Sequence, residues 1–376
     1  MNIEVFKLER MQSTWENVVD YNLAESGIHA LSLEEFVPAD ELKEILKLRL
    51  GYSQTNGTPE LRDKIASLTP GLNPEQIQVT AGSTEANYLL MWSLIEPGDE
   101  VIFEVPNYMQ MWGLLRGFGA KVKTFRLRED LGWAPDLNEL KKFVSKKTKL
   151  IILTNPNNPT GAVLTQEEMK TIIELAQGVG AWILADEVYQ NAERIGPRTP
   201  SFWGLYDRVI SVNGLSKAYG LPGLRIGWII GPLDLIQKTW PYHDYTTIAP
   251  SHLSDRLARI ALTPSIRDRI FKRTREILSC NFAILDSWLK KQDGVFSFVP
   301  PKAGAITFVR YHLPINSTEL ALKIIHDKSV FLAPGDLFEM DHFLRIGFGV
   351  EEQDLRAALA RVEDVLRKIN YGTVKT

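Results

Sequence analysis

Cysteine is nearly absent: Cys280 stands alone among 376 residues, so an intrachain disulfide framework is excluded. It is read as a buried helix position in a reducing compartment. The six histidines are scattered without ligand spacing, and only His243, beside Asp244 and Tyr245, lies near other polar groups, so no metal is expected. No uninterrupted apolar run approaches the ~20 residues of a membrane-spanning helix. Met1-Asn2-Ile3-Glu4 does not begin a basic segment followed by an apolar one, so no secretory leader is expected. The 43 basic and 46 acidic residues leave a net charge of −3 with no basic stripe, which argues against a nucleic-acid partner. Lys141-Lys142 and Lys146-Lys147 read as a solvated face. Gly220 and Gly223 build no dinucleotide fingerprint, and there is no Walker loop, internal repeat or low-complexity tract. These absences describe a soluble, cytoplasmic protein with neither a membrane nor a nucleic-acid partner.

What is present is length and alternation. A chain of 376 residues suits two domains better than one simple core. Strands are expected at 77–80, 100–105, 121–126, 149–154, 181–185, 208–212 and 226–230, with helical patterns between them. Seven such strands predict an α/β architecture with a mostly parallel sheet flanked by helices, within a large domain at 40–264. A long helix at 267–291 follows. Strands at 295–300 and 305–310, helices at 318–327 and 351–368, and strands near 330–332 and 343–348 then predict a smaller α+β unit.

Three segments carry chemistry. The apolar run 149–154 leads into Asn155-Pro156-Asn157-Asn158-Pro159-Thr160-Gly161, a rigid loop at a strand's C-terminal end. Thr165 and Glu168 then form a capping box for a helix with the apolar face Met169, Ile172, Ile173 and Ala176, stopped by Gly178 and Gly180. That βαβ pattern puts the loop at the ligand-binding edge of a parallel sheet. The next strand ends in Asp186-Glu187-Val188-Tyr189, and two carboxylates at a buried strand end need a partner or a role. The third segment is Gly214-Leu215-Ser216-Lys217-Ala218-Tyr219-Gly220-Leu221-Pro222-Gly223-Leu224-Arg225. A lysine partly desolvated among small residues loses preference for its charged form and becomes a usable nucleophile. An arginine eight residues on suits a phosphate, because its planar fork makes paired contacts. Lysine chemistry beside a phosphate anchor points to pyridoxal phosphate (PLP).

In this order, the three motifs resemble those of the class I/II aminotransferases, the fold-type I PLP enzymes. The resemblance implies the PLP-transferase fold, with segment 1–39 joining 265–376 in the small domain and a site between the domains. It implies that Lys217 forms the Schiff base with pyridoxal 5'-phosphate and shuttles the α-proton, and that Asp186 pairs with the pyridine nitrogen. Tyr189 and Asn158 would meet the cofactor's phenolic oxygen, while Arg225, with Ser83 and Thr84 at a helix N-terminus, would bind the phosphate. Ordinary N-capping also explains Ser83 and Thr84. Tyr108, otherwise a core aromatic, would stack on the ring. Tyr52 would reach the phosphate of a neighbouring subunit in a homodimer with shared sites, whereas Thr58 and Pro59 read as a helix start. Arg345, in an apolar strand, would fork the substrate carboxylate; a structural ion pair is the alternative.

One position departs from the family pattern. Gly214 stands where many relatives place a hydroxyl three residues before the lysine, so a phosphate donor must come from water, Ser216 or the 245–247 segment. For the side-chain pocket the candidates are Gly27-Ile28-His29, Trp15 and 242–247, with Gly27 and Asn158 placed near the substrate. The expected reaction moves an amino group from an L-amino acid to a 2-oxo acid. The alternative is a PLP-dependent lyase, decarboxylase or cyclase, since 215–225 also resembles the capreomycidine synthases.

Overall fold

Seven longer strands, most of them apolar, and one two-residue edge strand form the central sheet of the computed structural model, which describes residues 2–292 and 294–373. Their spatial order is Ile77–Thr80, Gly227–Ile230, Val209–Gly214, Trp182–Asp186, Thr148–Thr154, Glu100–Val105, Lys121–Arg128 and Ala134–Pro135. The five from Val209–Gly214 to Lys121–Arg128 run parallel. Gly227–Ile230 lies antiparallel to both its neighbours. The edge strand Ala134–Pro135 makes the sheet eight-stranded rather than seven-stranded; with only two residues it carries no readable alternation.

Side-chain alternation explains the layering, because successive residues of a strand face opposite sides. Leu150 and Ile152 pack with Leu184 and Ile210 against the helices Ser83–Leu94, Gln110–Gly117 and Leu233–His243. Ile151 and Leu153 pack with Ile183 and Ala185 against Gln166–Val179 on the other face. The latter helix has the expected start and stripe: Thr165 and Glu168 complete a capping box, and Met169, Ile172, Ile173 and Ala176 are buried. It ends at Gly180 in the left-handed conformation, while Gly178 lies inside it.

A second sheet, wholly antiparallel, has the order Phe296–Phe298, Ile306–Tyr311, Phe343–Gly347, Ala333–Pro334. The N-terminal segment is sewn to this region: Tyr21–Asn22 pairs in parallel with Val330–Phe331, and Gly347 N donates to Leu23 O at 2.6 Å. Pro264–Lys291 is a 28-residue helix whose buried stripe includes Ile270, Thr274, Leu278, Phe282 and Leu285. Cys280 falls off that stripe and is exposed, which corrects the expectation of a buried thiol. Its neighbours Leu278 and Phe282 turn inward, and a residue two positions from each must face outward. Among the described residues no helix is long and apolar enough to cross a membrane, and no group of three or more His, Cys, Asp or Glu could hold a metal ion.

Candidate active site

Parallel strands end on the same side of a sheet, and here those ends deliver the motifs together. Thr148–Thr154 leads to Asn158, Trp182–Asp186 ends on Asp186, and Val209–Gly214 leads to Lys217. Ile77–Thr80 leads through Gly82 to the helix that starts at Ser83. From the second sheet comes Arg345. All of these except Gly82 line one cavity of about 370 Å³, together with Thr84, Tyr108, Tyr189, Ser216 and Arg225.

Asp186 is 3 % exposed, and burial pushes its carboxyl up to about 6. It accepts from Val188 N at 3.2 Å and, more weakly, from Asn87 Nδ2 at 3.4 Å. Among the described residues no cation pairs with it, which is costly for a buried carboxylate unless a ligand supplies the charge. Tyr189 donates its hydroxyl to Ser26 Oγ at 2.9 Å. Tyr108 donates its hydroxyl to Glu9 Oε1 at 2.7 Å and packs edge-on against Phe6.

Lys217 differs from the expectation of a lysine pushed toward neutrality. Burial does work against its charge, but Glu25, whose Oε1 accepts from Nζ at 3.0 Å, and Tyr189 outweigh it, and the pKa ends above the ordinary lysine value. Glu25 in turn is held at about 2: burial opposes its charge, and Lys217 and the Gly27 amide overcome that opposition. Gly27 lies beside this pair, with Ser216 O 3.3 Å from where its Cβ would stand.

The anion end is built by close backbone approach. Gly82, not Ser83 or Thr84, is the N-cap, so those two hydroxyls sit in the first helical turn and are not used as caps. This corrects the capping explanation. A Cβ on Gly82 would stand 2.4 Å from Arg225 Nη2, and one on Gly227 only 2.4 Å from Ser83 N. Arg225 takes a left-handed backbone (φ 50°) and donates from Nη1 to Pro222 O at 3.1 Å. Gly214 has no room for a side chain, since its Cβ would meet Ile226 O at 2.9 Å. Thr246 and Thr247 are engaged elsewhere, both donating to Glu85 Oε1, whereas Ser216, the other side-chain candidate for the missing donor, lines the cavity. His243 is fully buried between Thr55 O and Thr247 Oγ1, with Glu85 3.2 Å away, and braces the same helix.

At the opposite end Arg345 is 1 % exposed and has no carboxylate within ion-pair distance among the described residues, so the structural ion pair is not found. Its Nη1 donates to Asn158 Oδ1 at 2.8 Å and Nη2 to Ala24 O at 2.6 Å, while Nε has no partner. Tyr52 is 88 % exposed and does not reach its own chain's cavity. Trp15 packs on His326, and His29 binds Arg273, so neither lines the cavity. The sequence reading missed Glu9, Gln12, Glu16, Glu25 and Ser26, which do line it. The signal available was the 9-12-16 spacing, one face of a helix.

Comparisons with known proteins agree over nearly the whole chain. The family described as Aminotransferase class I and II matches residues 22–362. A capreomycidine synthase from Streptomyces vinaceus is 29% identical, the match covering 92% of this chain and 89% of that protein. An aspartate aminotransferase from Sulfurisphaera tokodaii is 30% identical over 84% of this chain and 82% of its own. The crystal structure of a PLP-dependent aminotransferase from Streptococcus suis superposes with a TM-score of 0.92 at 35% identity, covering 98% of this chain and 99% of that one.

Proposed function

Because this chain belongs to the class I and II aminotransferases, we propose that it transfers the amino group of an L-amino acid to a 2-oxo acid. Its cofactor is pyridoxal 5'-phosphate. The cavity suits that group: a buried carboxylate without a cation, a lysine amine, and an anion end of Ser83, Thr84, Ser216 and Arg225 meet in one space. When bound, the cofactor supplies an aldehyde for amine exchange and a ring that withdraws electrons from the substrate's Cα.

The observation that carries the reading is the placement of Lys217, Asp186 and Arg345 around one cavity, each from a different strand end or strand. Asp186, which burial already inclines to share a proton, keeps the ring nitrogen protonated. Asn158 and Tyr189, which line the same cavity, would hold the phenolic oxygen. Arg345, with its unpartnered Nε, takes the substrate α-carboxylate and is oriented by Asn158 and Ala24 O. Lys217 Nζ is the amine that would hold the cofactor and would be placed to move the Cα proton. Tyr52, exposed on its own chain, would serve the phosphate of a second copy in a homodimer with shared sites. Residues 40–264 form the large domain, and 1–39 with 265–376 form the small one that closes over the substrate.

An amino acid added alone to the loaded enzyme should produce stoichiometric pyridoxamine phosphate, and a 2-oxo acid should restore the starting absorbance. Sustained release of ammonia, carbon dioxide or a cyclised product without a 2-oxo acid would contradict the reading. Such release would favour a cyclase or lyase instead. That second reading is supported by the capreomycidine synthase relative and by Glu16, a cavity carboxyl whose pKa is raised by burial and by Glu25 and Glu9, and which could serve as an acid.

A further inference from the structure

One cavity holds two arginines, Arg225 and Arg345, together with three glutamates, Glu9, Glu16 and Glu25. Arg345 is more than nine-tenths buried with Nε unpartnered, which favours an anion beside it. To the same cavity the helix Lys7–Trp15 and its C-cap present Glu9 and Glu16, and the segment after Tyr21–Asn22 adds Glu25. These carboxylates are incompletely satisfied. Glu9 uses Oε1 to accept from Tyr108, and Glu25 uses Oε1 for Lys217 and the Ser26 and Gly27 amides. Among the described residues the second oxygen of each has no partner, and Glu16 has no hydrogen-bond or ion-pair partner for its carboxylate at all. Glu16 is half-buried, and its carboxyl is pushed up by burial and by repulsion from Glu25 and Glu9. Lys217 offsets the charge of Glu25, but no cation pairs with Glu9 or Glu16 among the described residues, and like charges gathered in a partly buried space favour the entry of a cation.

Resting on the amino-acid substrate proposed above, we infer that Glu9, Glu16 and Glu25 form the side-chain subsite and select an L-amino acid with a positively charged side chain, a terminal ammonium or guanidinium. Arg345 takes the α-carboxylate and the glutamates take the distal cation. The same charges disfavour a dicarboxylic amino acid, because a second carboxylate would enter beside them with no free cation to meet it. Substrate selection here is therefore opposite in sign to what an aspartate substrate requires.

The test uses α-methyl amino acids, which lack the Cα hydrogen and bind without turning over. The PLP-loaded enzyme is titrated with α-methylornithine, α-methylarginine, the neutral α-methylnorvaline and α-methylaspartate, and binding is read by calorimetry and cofactor absorbance. One of the two cationic probes should bind at least ~10-fold more tightly than α-methylnorvaline, and α-methylaspartate more weakly than either. Glu16→Gln should cut that preference several-fold, weakening the cationic probes more than α-methylnorvaline, and added salt should narrow it. Equal or tighter binding of α-methylnorvaline or α-methylaspartate overturns the inference. So does a cation preference that survives unchanged in both Glu16→Gln and Glu25→Gln. Tight cation binding by an enzyme that forms no pyridoxamine phosphate from ornithine or arginine would refute amino transfer and leave the subsite standing.

Discussion

Arg345 Nη1 donates to Asn158 Oδ1 at 2.8 Å across 187 residues of sequence, joining the second sheet to the loop at the end of Thr148–Thr154. The contact orients a buried guanidinium without neutralising it. Arg345→Ala should therefore lower kcat/KM by ~100-fold or more, a loss on the order of 3 kcal/mol, with little change in cofactor affinity. Arg345→Lys should recover little, because one ammonium cannot reproduce the fork. Steady-state kinetics beside a cofactor titration checks both.

Gly82 tests the anion end. At φ 86° a side chain is strained, and its Cβ would stand 2.4 Å from Arg225 Nη2. The end of a long side chain gives way more readily than backbone, so Gly82→Ala should displace Arg225 rather than unfold the helix. The cofactor dissociation constant should rise by ~10-fold, with the Tm of the cofactor-free protein changing by only about a few degrees. Gly227→Ala, which meets Ser83 N, should cost more stability.

Glu104 carries a pH signature. It is 1 % exposed, accepts from Asn157 Nδ2 at 2.6 Å, and burial pushes it up to about 8. A carboxyl whose folded pKa exceeds its unfolded value keeps its proton longer in the folded chain. Its contribution to stability is intact below about 4.5 and is lost as pH rises toward 8. The loss is on the order of 5 kcal/mol. Asp186, near 6, and Glu187, near 7, act in the same sense. Glu104→Gln should therefore flatten the fall in Tm between pH 5 and pH 9, as measured by calorimetry of the cofactor-free protein (~several degrees).

Lys217 is the amine assigned to the cofactor. Borohydride reduction of the loaded enzyme, followed by peptide mapping, should place the cofactor's mass on the peptide containing Lys217. Label on another lysine would remove the assignment.

The residues legible in sequence were those whose position follows from a strand end. Asn158, Asp186, Lys217 and Arg225 each lie within a few residues of a buried strand's terminus, so local pattern alone brought them to one edge. Glu9, Gln12, Glu16 and Glu25 were illegible because their placement depends on pairing across about 300 residues, Tyr21 with Val330 and Leu23 with Gly347. A helix with charges at 9 and 16 reads as solvated until that pairing turns the face inward. The same limit explains Lys217: desolvation could be read from its small neighbours, but Glu25, 192 positions earlier, could not. The capping alternative for Ser83 and Thr84 fails because Gly82 shapes the helix start through its positive φ, which no polar side chain announces.

Amino-group transfer is the central claim, and isotope tracing tests it most directly. The enzyme is incubated with a substrate amino acid labelled with ¹⁵N at the α-amino group and an unlabelled 2-oxo acid, and the products are resolved by mass spectrometry. Label in the α-amino group of the new amino acid is the predicted result. Label released as ammonia, or retained in a cyclised form of the original amino acid, would contradict the account.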